Sequence, residues 1–247
     1  MARLRAAGSV FAEDEAAVLQ SSATTPSELE RMVARRVAGE PLEVVVGWAE
    51  FCGRRVLVDA GVFVPRARTA VLVEHGRPLV RAGSVVVDLC CGTGAVGLAL
   101  LHEVPGIVLH AADVEPSAVA CARRNVEPLG GRVHEGDLLD ALPHALRGRV
   151  DLLVVNAPYV PTDAIASMPS EARDHEPLTA LDGGDDGVAF HRRLAAGAGE
   201  WLAPGGHLLV ETSGRQSLLT SDAFERAGMT ARVVRSDDVD GTAVLVS

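Results

Sequence analysis

Aromatic side chains are scarce in this chain. They make up 3% of its 247 residues, with a single tyrosine, so Val, Leu and Ala must build the core. No apolar run reaches the length of a membrane span. The opening Met1-Ala2-Arg3-Leu4-Arg5-Ala6 has no long apolar region or cleavage pattern behind it, so no signal peptide is expected. Cysteines are few: Cys52, Cys90, Cys91 and Cys121 lack metal-ligand spacing. Reduced thiols in the cytoplasm, and no metal site, are the simple reading. Basic residues are outnumbered, 23 Lys and Arg against 33 Asp and Glu, for a net charge of −10. Duplex DNA is a poor partner for such a chain, because affinity there rests on cations that neutralise phosphates. Internal repeats and low-complexity segments are absent as well.

What the chain does have is the stretch from Val85 to Gly97. Val85-Val86-Val87-Asp88-Leu89 reads as a strand buried on both faces. Glycines follow at 92, 94 and 97, and the apolar run from Ala95 to Leu101 reads as a helix. A strand, a Gly-rich turn and a helix form a nucleotide-binding crossover, with backbone free to approach a ligand and N–H groups free at the helix start. Gly92 to Gly97 fits the dinucleotide pattern G-x-G-x-x-G, and Asp113 lies about 20 residues on, as that fingerprint requires. Two features favour S-adenosylmethionine over NAD. Asp88 ends the strand just before the turn, where a carboxylate suits an amino group and a sulfonium but repels a pyrophosphate. The buried strand from Val150 to Asn156 then runs into Ala157-Pro158-Tyr159, and Asn-Ala-Pro-Tyr resembles the Asn-Pro-Pro-Tyr signature of amino-group methyltransferases.

The remaining pattern predicts three parts. Residues 1–39 read as a small helical domain. Thr25-Pro26-Ser27-Glu28 is a capping box, and the helix behind it buries Leu29, Val33 and Val37 and turns Arg31, Arg35 and Arg36 outward. Residues 40–64 read as a hairpin linker, Val44–Val46 against Arg55–Val58 around Gly53, with Trp48 and Phe51 as core anchors. Residues 65–247 form the catalytic domain, opened by Phe63–Thr69, whose charged residues would either border the cofactor or serve only as a generic helix start, and a helix from Ala70 to Val80. Its strands, Val85–Leu89, Val108–Val114, Arg132–Leu138, Val150–Asn156 and His207–Thr212, alternate with helices. Thr230–Arg235 and Thr242–Val246 close the sheet as a hairpin through Asp240-Gly241. The fold expected is α/β: a doubly wound, Rossmann-like S-adenosylmethionine-dependent methyltransferase fold with a seven-stranded, mostly parallel sheet. About thirty residues separate Asn156 from the next helical pattern, which marks an active-site loop.

On these landmarks the chain resembles the HemK-type protein glutamine N5-methyltransferases. They are Gly39-Glu40-Pro41-Leu42, Phe63-Val64-Pro65-Arg66, Asp88 to Gly94, Asn156 to Tyr159, and His175-Glu176-Pro177-Leu178 through Gly184, the last being the most family-specific. The family has Pro-Arg-Pro-Glu-Thr-Glu where this chain has Pro65-Arg66-Ala67-Arg68-Thr69-Ala70, and Pro where it has Ala157. The resemblance implies methyl transfer to a glutamine of the Gly-Gly-Gln loop in a peptide-chain release factor. Asn156 Oδ1 and the carbonyl of Ala157 would accept the two amide N–H bonds, before Pro158, and Tyr159 would pack its ring on the flat amide. His175 is the titratable residue nearest to them in the motifs and reads as a loop-structuring group. On the cofactor side Asp113 would hold the ribose, Asp137 and Leu138 would border adenine, and Cys90, Cys91, Gly92, Thr93 and Gly94 would line the methionine end with Asp88. Two other readings stay open. One is a methyltransferase of the same fold acting on another protein, a small amine or a nucleobase. The other is a non-catalytic S-adenosylmethionine-binding module.

Overall fold

The computed structural model describes residues 1–247. Its centre is a seven-stranded sheet made of β3 (Val85–Leu89), β4 (Val108–Asp113), β5 (Arg132–Glu135), β6 (Val150–Val155), β7 (Leu202–Glu211), β8 (Ala231–Ser236) and β9 (Gly241–Val246). The spatial order is β5-β4-β3-β6-β7-β9-β8. The first five strands are parallel, and β9 runs antiparallel to both β7 and β8. The hydrophobic runs are continuous because both faces are covered. Val86, Leu152 and Leu209 pack into one apolar layer, under α5 (Ala70–Gly76), α6 (Ala95–Glu103) and α7 (Pro116–Val126). Their neighbours Val87, Leu153 and Leu208 pack into the opposite layer, with α9 (Ala189–Gly197) and α10 (Ser217–Arg226). The strand order reverses between β3 and β6, and a doubly wound sheet opens a crevice at the carboxyl ends of its strands at that point. No helix is long and apolar enough to cross a membrane.

The N-terminal part holds α1 (Ala2–Ala6), α2 (Ala12–Ser22), α3 (Pro26–Val37) and α4 (Leu42–Val46), packed around Leu4, Leu19 and Val45. Leu29, Val33 and Val37 of α3 face that cluster, as their spacing predicts. Thr25 Oγ1 accepts the N–H of Glu28 at 3.1 Å, while the Glu28 carboxylate reaches back to Thr24, one residue beyond the box expected. Arg36 departs from the outward stripe. Its side chain is only 11% exposed and is held between Glu15 and Glu171.

The hairpin also differs from its expected strands. It pairs β1 (Trp48–Phe51) with β2 (Arg54–Leu57), and Val44–Val46 belong to α4 instead. Pro41 starts that helical turn and Gly47, at φ +82°, ends it, so the β-branched run never extends. Phe51 is buried in the core as anticipated, whereas Trp48 is half-exposed beneath the Arg55 guanidinium.

Candidate active site

The site begins where β3 ends. Cys90, Gly92 and Gly94 all have left-handed backbone, at φ +53°, +54° and +76°. For Cys90 that conformation is costly, and such strain gathers at functional sites. Asp88 is 3% exposed and its Oδ2 accepts the N–H of Gly97 at 2.8 Å, tying the strand to the helix that follows. A Cβ at Gly97 would lie 2.9 Å from Leu109 Cδ2 and 3.1 Å from Asp88 Oδ2, so only glycine permits this approach. Burial pushes the Asp88 carboxyl up to about 7, against the pull of the Gly97 N–H. A raised carboxyl pKa means that the folded state holds its proton more tightly than the unfolded chain. This contribution to stability is therefore present at low pH and lost as pH rises from about 4 to about 7. Asp88→Asn keeps an acceptor for Gly97 and removes the charge. It is expected to raise stability at pH 8 by on the order of 1–3 kcal/mol, with no gain at pH 4, in paired thermal melts.

Asp113 ends β4 beside the turn. Its Oδ2 accepts the N–H of Gly92 at 2.8 Å and its Oδ1 that of Glu115 at 3.0 Å, which leaves lone pairs free on both oxygens. Burial raises its pKa, and the N–H groups of Glu115 and Gly92 oppose that.

Asp113 lines a cavity of about 510 Å³ at the carboxyl ends of the strands, a volume in the range of small-molecule sites. Cys90, Gly92, Asp137 and Leu138 share that wall. Leu138 is left-handed at φ +49°, and Asp137 pairs with Arg193 at 2.5 Å. The other turn residues stand behind the wall. Cys91 is buried in the core, Thr93 gives its carbonyl to Asn125 at 2.9 Å, and a Cβ at Gly94 would meet Val126 at 3.1 Å. With Asp88 on Gly97, the structure gives these four to holding the turn and leaves Cys90 and Gly92 to face the cavity.

Asn156, Ala157, Pro158 and Tyr159, which follow the end of β6, line the same cavity. Tyr159 O–H donates to Glu211 Oε1 at 3.0 Å and accepts from Arg68 Nε at 3.0 Å. Burial, then Glu211, raises the phenol pKa, so the ring stays protonated and donating. Asn156 Nδ2 points at Thr69 Oγ1, 3.5 Å away. Phe63, Arg66 and Arg68, from the stretch ahead of α5, also line the cavity.

The long segment after β6 is folded, with α8 (Ser170–His175) inside it and Val160 bridged to Asp182. Glu176 closes it onto the linker: its Oε1 accepts from Val64 N at 3.2 Å and Arg66 Nη2 at 2.6 Å. Glu176 is on the cavity wall and His175 is not; His175 lies beside Gly39. Of that motif it is therefore Glu176, and not His175, that reaches the cavity. Sequence reasoning also passed over Thr69 and Glu211. Glu211 did carry a signal, being an acid at the carboxyl end of a buried strand, the same signal that marks Asp88 and Asp113.

The fold and this site define a class: a methyltransferase of the Rossmann-like, S-adenosylmethionine-dependent kind. Residues 54–172 match the model of the methyltransferase small domain. The chain is 38% identical over 199 residues, 80% of this chain and 69% of the other, to a release factor glutamine methyltransferase of Geobacter sulfurreducens. It is 37% identical over 210 residues, 82% and 71% of the two chains, to a 4-amino-L-phenylalanine/4-methylamino-L-phenylalanine methyltransferase of Streptomyces pristinaespiralis. Among solved structures it shares its fold with a Thermus thermophilus 16S rRNA N2 G1207 methyltransferase in complex with AdoMet and guanosine. That match has a TM-score of 0.55 and 18% identity, and covers 81% of this chain and 49% of that one. The chain belongs to the release factor glutamine methyltransferase family.

Proposed function

We propose that this chain transfers the methyl group of S-adenosylmethionine to the side-chain amide nitrogen of a protein glutamine, in the Gly-Gly-Gln loop of a peptide-chain release factor. The observation that carries the reading is one cavity whose wall has two parts, Asp113 with Gly92 and Cys90 in one and Asn156 to Tyr159 in the other. The first part suits the cofactor: a carboxylate with free lone pairs for a diol, and strained backbone at Cys90 and Leu138 for close approach. S-adenosylmethionine supplies an electrophilic methyl on a sulfonium. Asp113→Ala is expected to weaken its binding by about 1–3 kcal/mol, the loss of charge-assisted hydrogen bonds, as read by calorimetry.

The second part suits an amide. Its nitrogen lone pair is delocalised, so orientation is the main help that the protein gives. Asn156 Oδ1 and the Ala157 carbonyl accept one N–H each and favour charge developing on nitrogen. The proton leaves after transfer, so no strong base is required. Ala157 contributes only its carbonyl in this reading. Its N–H donates to no carbonyl, so proline there removes no bond. Ala157→Pro is expected to keep activity and add about 0.4–1 kcal/mol of stability; a folded, cofactor-binding but inactive variant would point away from glutamine.

A second reading has one observation behind it, the relative named for an aromatic amine. Phe63, Leu178 and Phe190 give this cavity apolar wall enough for such a ring. A nucleobase fits less well with a net charge of −10, and a non-catalytic module leaves the Asn156 wall without a purpose. Labelled methyl transfer into release factor, 4-amino-L-phenylalanine and DNA, each with an Asn156→Ala control, separates them. Label in the glutamine loop supports the proposal; label in the arylamine alone overturns it.

A further inference from the structure

We propose that Arg68 and Glu211 are positioning residues for this reaction: they grip the Tyr159 hydroxyl from two sides and so fix the ring against which the acceptor lies. The inference rests on the reading that the Tyr159 ring packs on the acceptor amide.

Tyr159 follows the end of β6, is half-buried and lines the cavity. A ring in that setting hangs from its backbone by Cβ, and its tip is free to swing between rotamers. Phenylalanine would offer an amide the same flat face, so the hydroxyl needs its own account. The backbone end is already secured, since Gln216 Nε2 donates to Tyr159 O at 2.8 Å. Holding the far end as well leaves the ring one position.

A phenol has one hydrogen to give and lone pairs to receive. The structure uses both. The hydrogen goes to Glu211 Oε1 at 3.0 Å, and Arg68 Nε donates to the phenol oxygen at 3.0 Å. The partners belong to different elements: Arg68 to the 3₁₀ turn Ala67–Thr69 ahead of α5, Glu211 to the last position of β7. The ring tip is thus tied to two parts of the fold outside its own strand. The partners also need one another. The Glu211 side chain is 2% exposed, and a buried carboxylate without a counter-charge is costly. Arg68 Nε lies 3.4 Å from the same Oε1, while Oε2 has no hydrogen-bond partner, so the carboxylate's contacts converge on the phenol side. The Arg68 side chain is 51% exposed and lines the cavity, so the clamp holds the ring without withdrawing it from the acceptor. An ionised glutamate at this position, as in the family motif, would have no hydrogen for the phenol and would repel Glu211. No bond is made or broken at either residue; their role is to orient.

The test uses the fact that Tyr159 is the chain's single tyrosine. Tyrosine labelled with ¹³C at Cζ gives one resonance, which responds to bonds at the hydroxyl, read on protein saturated with S-adenosylhomocysteine. Arg68→Met keeps the apolar stem and loses the donor; Glu211→Gln keeps an acceptor and loses the charge. Each is expected to move the resonance at unchanged cofactor affinity. With release factor as acceptor, kcat should fall about three- to tenfold in Arg68→Met, the loss of one hydrogen bond. Tyr159→Phe, which keeps the ring and loses the hydroxyl, should fall at least as far, and Arg68→Met should cost nothing further in that background. A resonance that stays in place in either variant, or a wild-type kcat in Arg68→Met, overturns the proposal. So does a penalty that persists in the Tyr159→Phe background, because Arg68 would then act on the acceptor and not through the phenol. Failure of the wild type to methylate release factor would defeat the acceptor assignment instead, and the tyrosine resonance would still decide whether Arg68 and Glu211 hold the ring.

Discussion

Asn156→Ala is expected to lower kcat by two to three orders of magnitude and to leave S-adenosylmethionine affinity within about threefold of wild type. The size follows from removing one preorganised partner of a charge that develops during transfer, which typically costs 10²–10³ in rate. The split follows from position. Asn156 stands at the end of β6, apart from Asp113 at the end of β4 with β3 between them, and the Asn156 carboxamide makes no bond to the Gly92 turn. Truncation to alanine leaves β6 intact, because the strand is held by its ladders to β3 and β7. Single-turnover methyl transfer with cofactor calorimetry reads both quantities. A variant that turns over at the wild-type rate would remove Asn156 from the mechanism.

Gly187→Ala is expected to destabilise the fold by about 3–5 kcal/mol and to abolish activity together with it. The added Cβ would sit 2.0 Å from Gln216 Nε2 and 2.3 Å from the carbonyl oxygen of Tyr159, on a backbone at φ +74°. That carbonyl is held by Gln216 Nε2 at 2.8 Å, and the same nitrogen binds Asp186 O at 3.0 Å. Either Tyr159 moves off its wall or the Gln216 bridge breaks, and a buried network that loses one member costs more than its pair. Overpacking adds about 1–3 kcal/mol of its own. A melt within one or two degrees of wild type, with normal turnover, would show that the segment yields without cost.

Much of the sheet was legible in the sequence because valine and leucine runs buried on both faces leave no other reading, as Val85–Leu89 and Val150–Val155 illustrate. The hairpin was misplaced for a local reason: Val44–Val46 carry strand propensity, and Pro41 and Gly47 at their ends overrule it. The turn after β3 could be read as glycine spacing, but spacing does not say which side chains face a ligand. Asp88, Cys91, Thr93 and Gly94 do not line the cavity, because their contacts go to Gly97, the core, Asn125 and Val126. Thr69 and Glu211 were the hardest to see. They come from segments far apart in sequence, and Glu211 reaches the Arg68–Thr69 turn only when α5 packs on β7. Glu176 was hidden by its neighbour, since a histidine draws a chemical reading that a glutamate in an Arg–Glu clamp does not.

The clamp has a consequence for anyone who would cut this protein down. A boundary at residue 65 looks natural on the sequence, yet Gly61, Val62 and Phe63 line the cavity, and Val64 N supplies one of the two bonds on Glu176. A fragment that starts there would keep its whole central sheet and lose one side of its binding chamber. Farther out, Glu171 would lose Arg36 and α8 its tie to the helices around Leu19. The smallest portable catalytic unit therefore begins upstream of the segment that a topology diagram would draw as the enzyme.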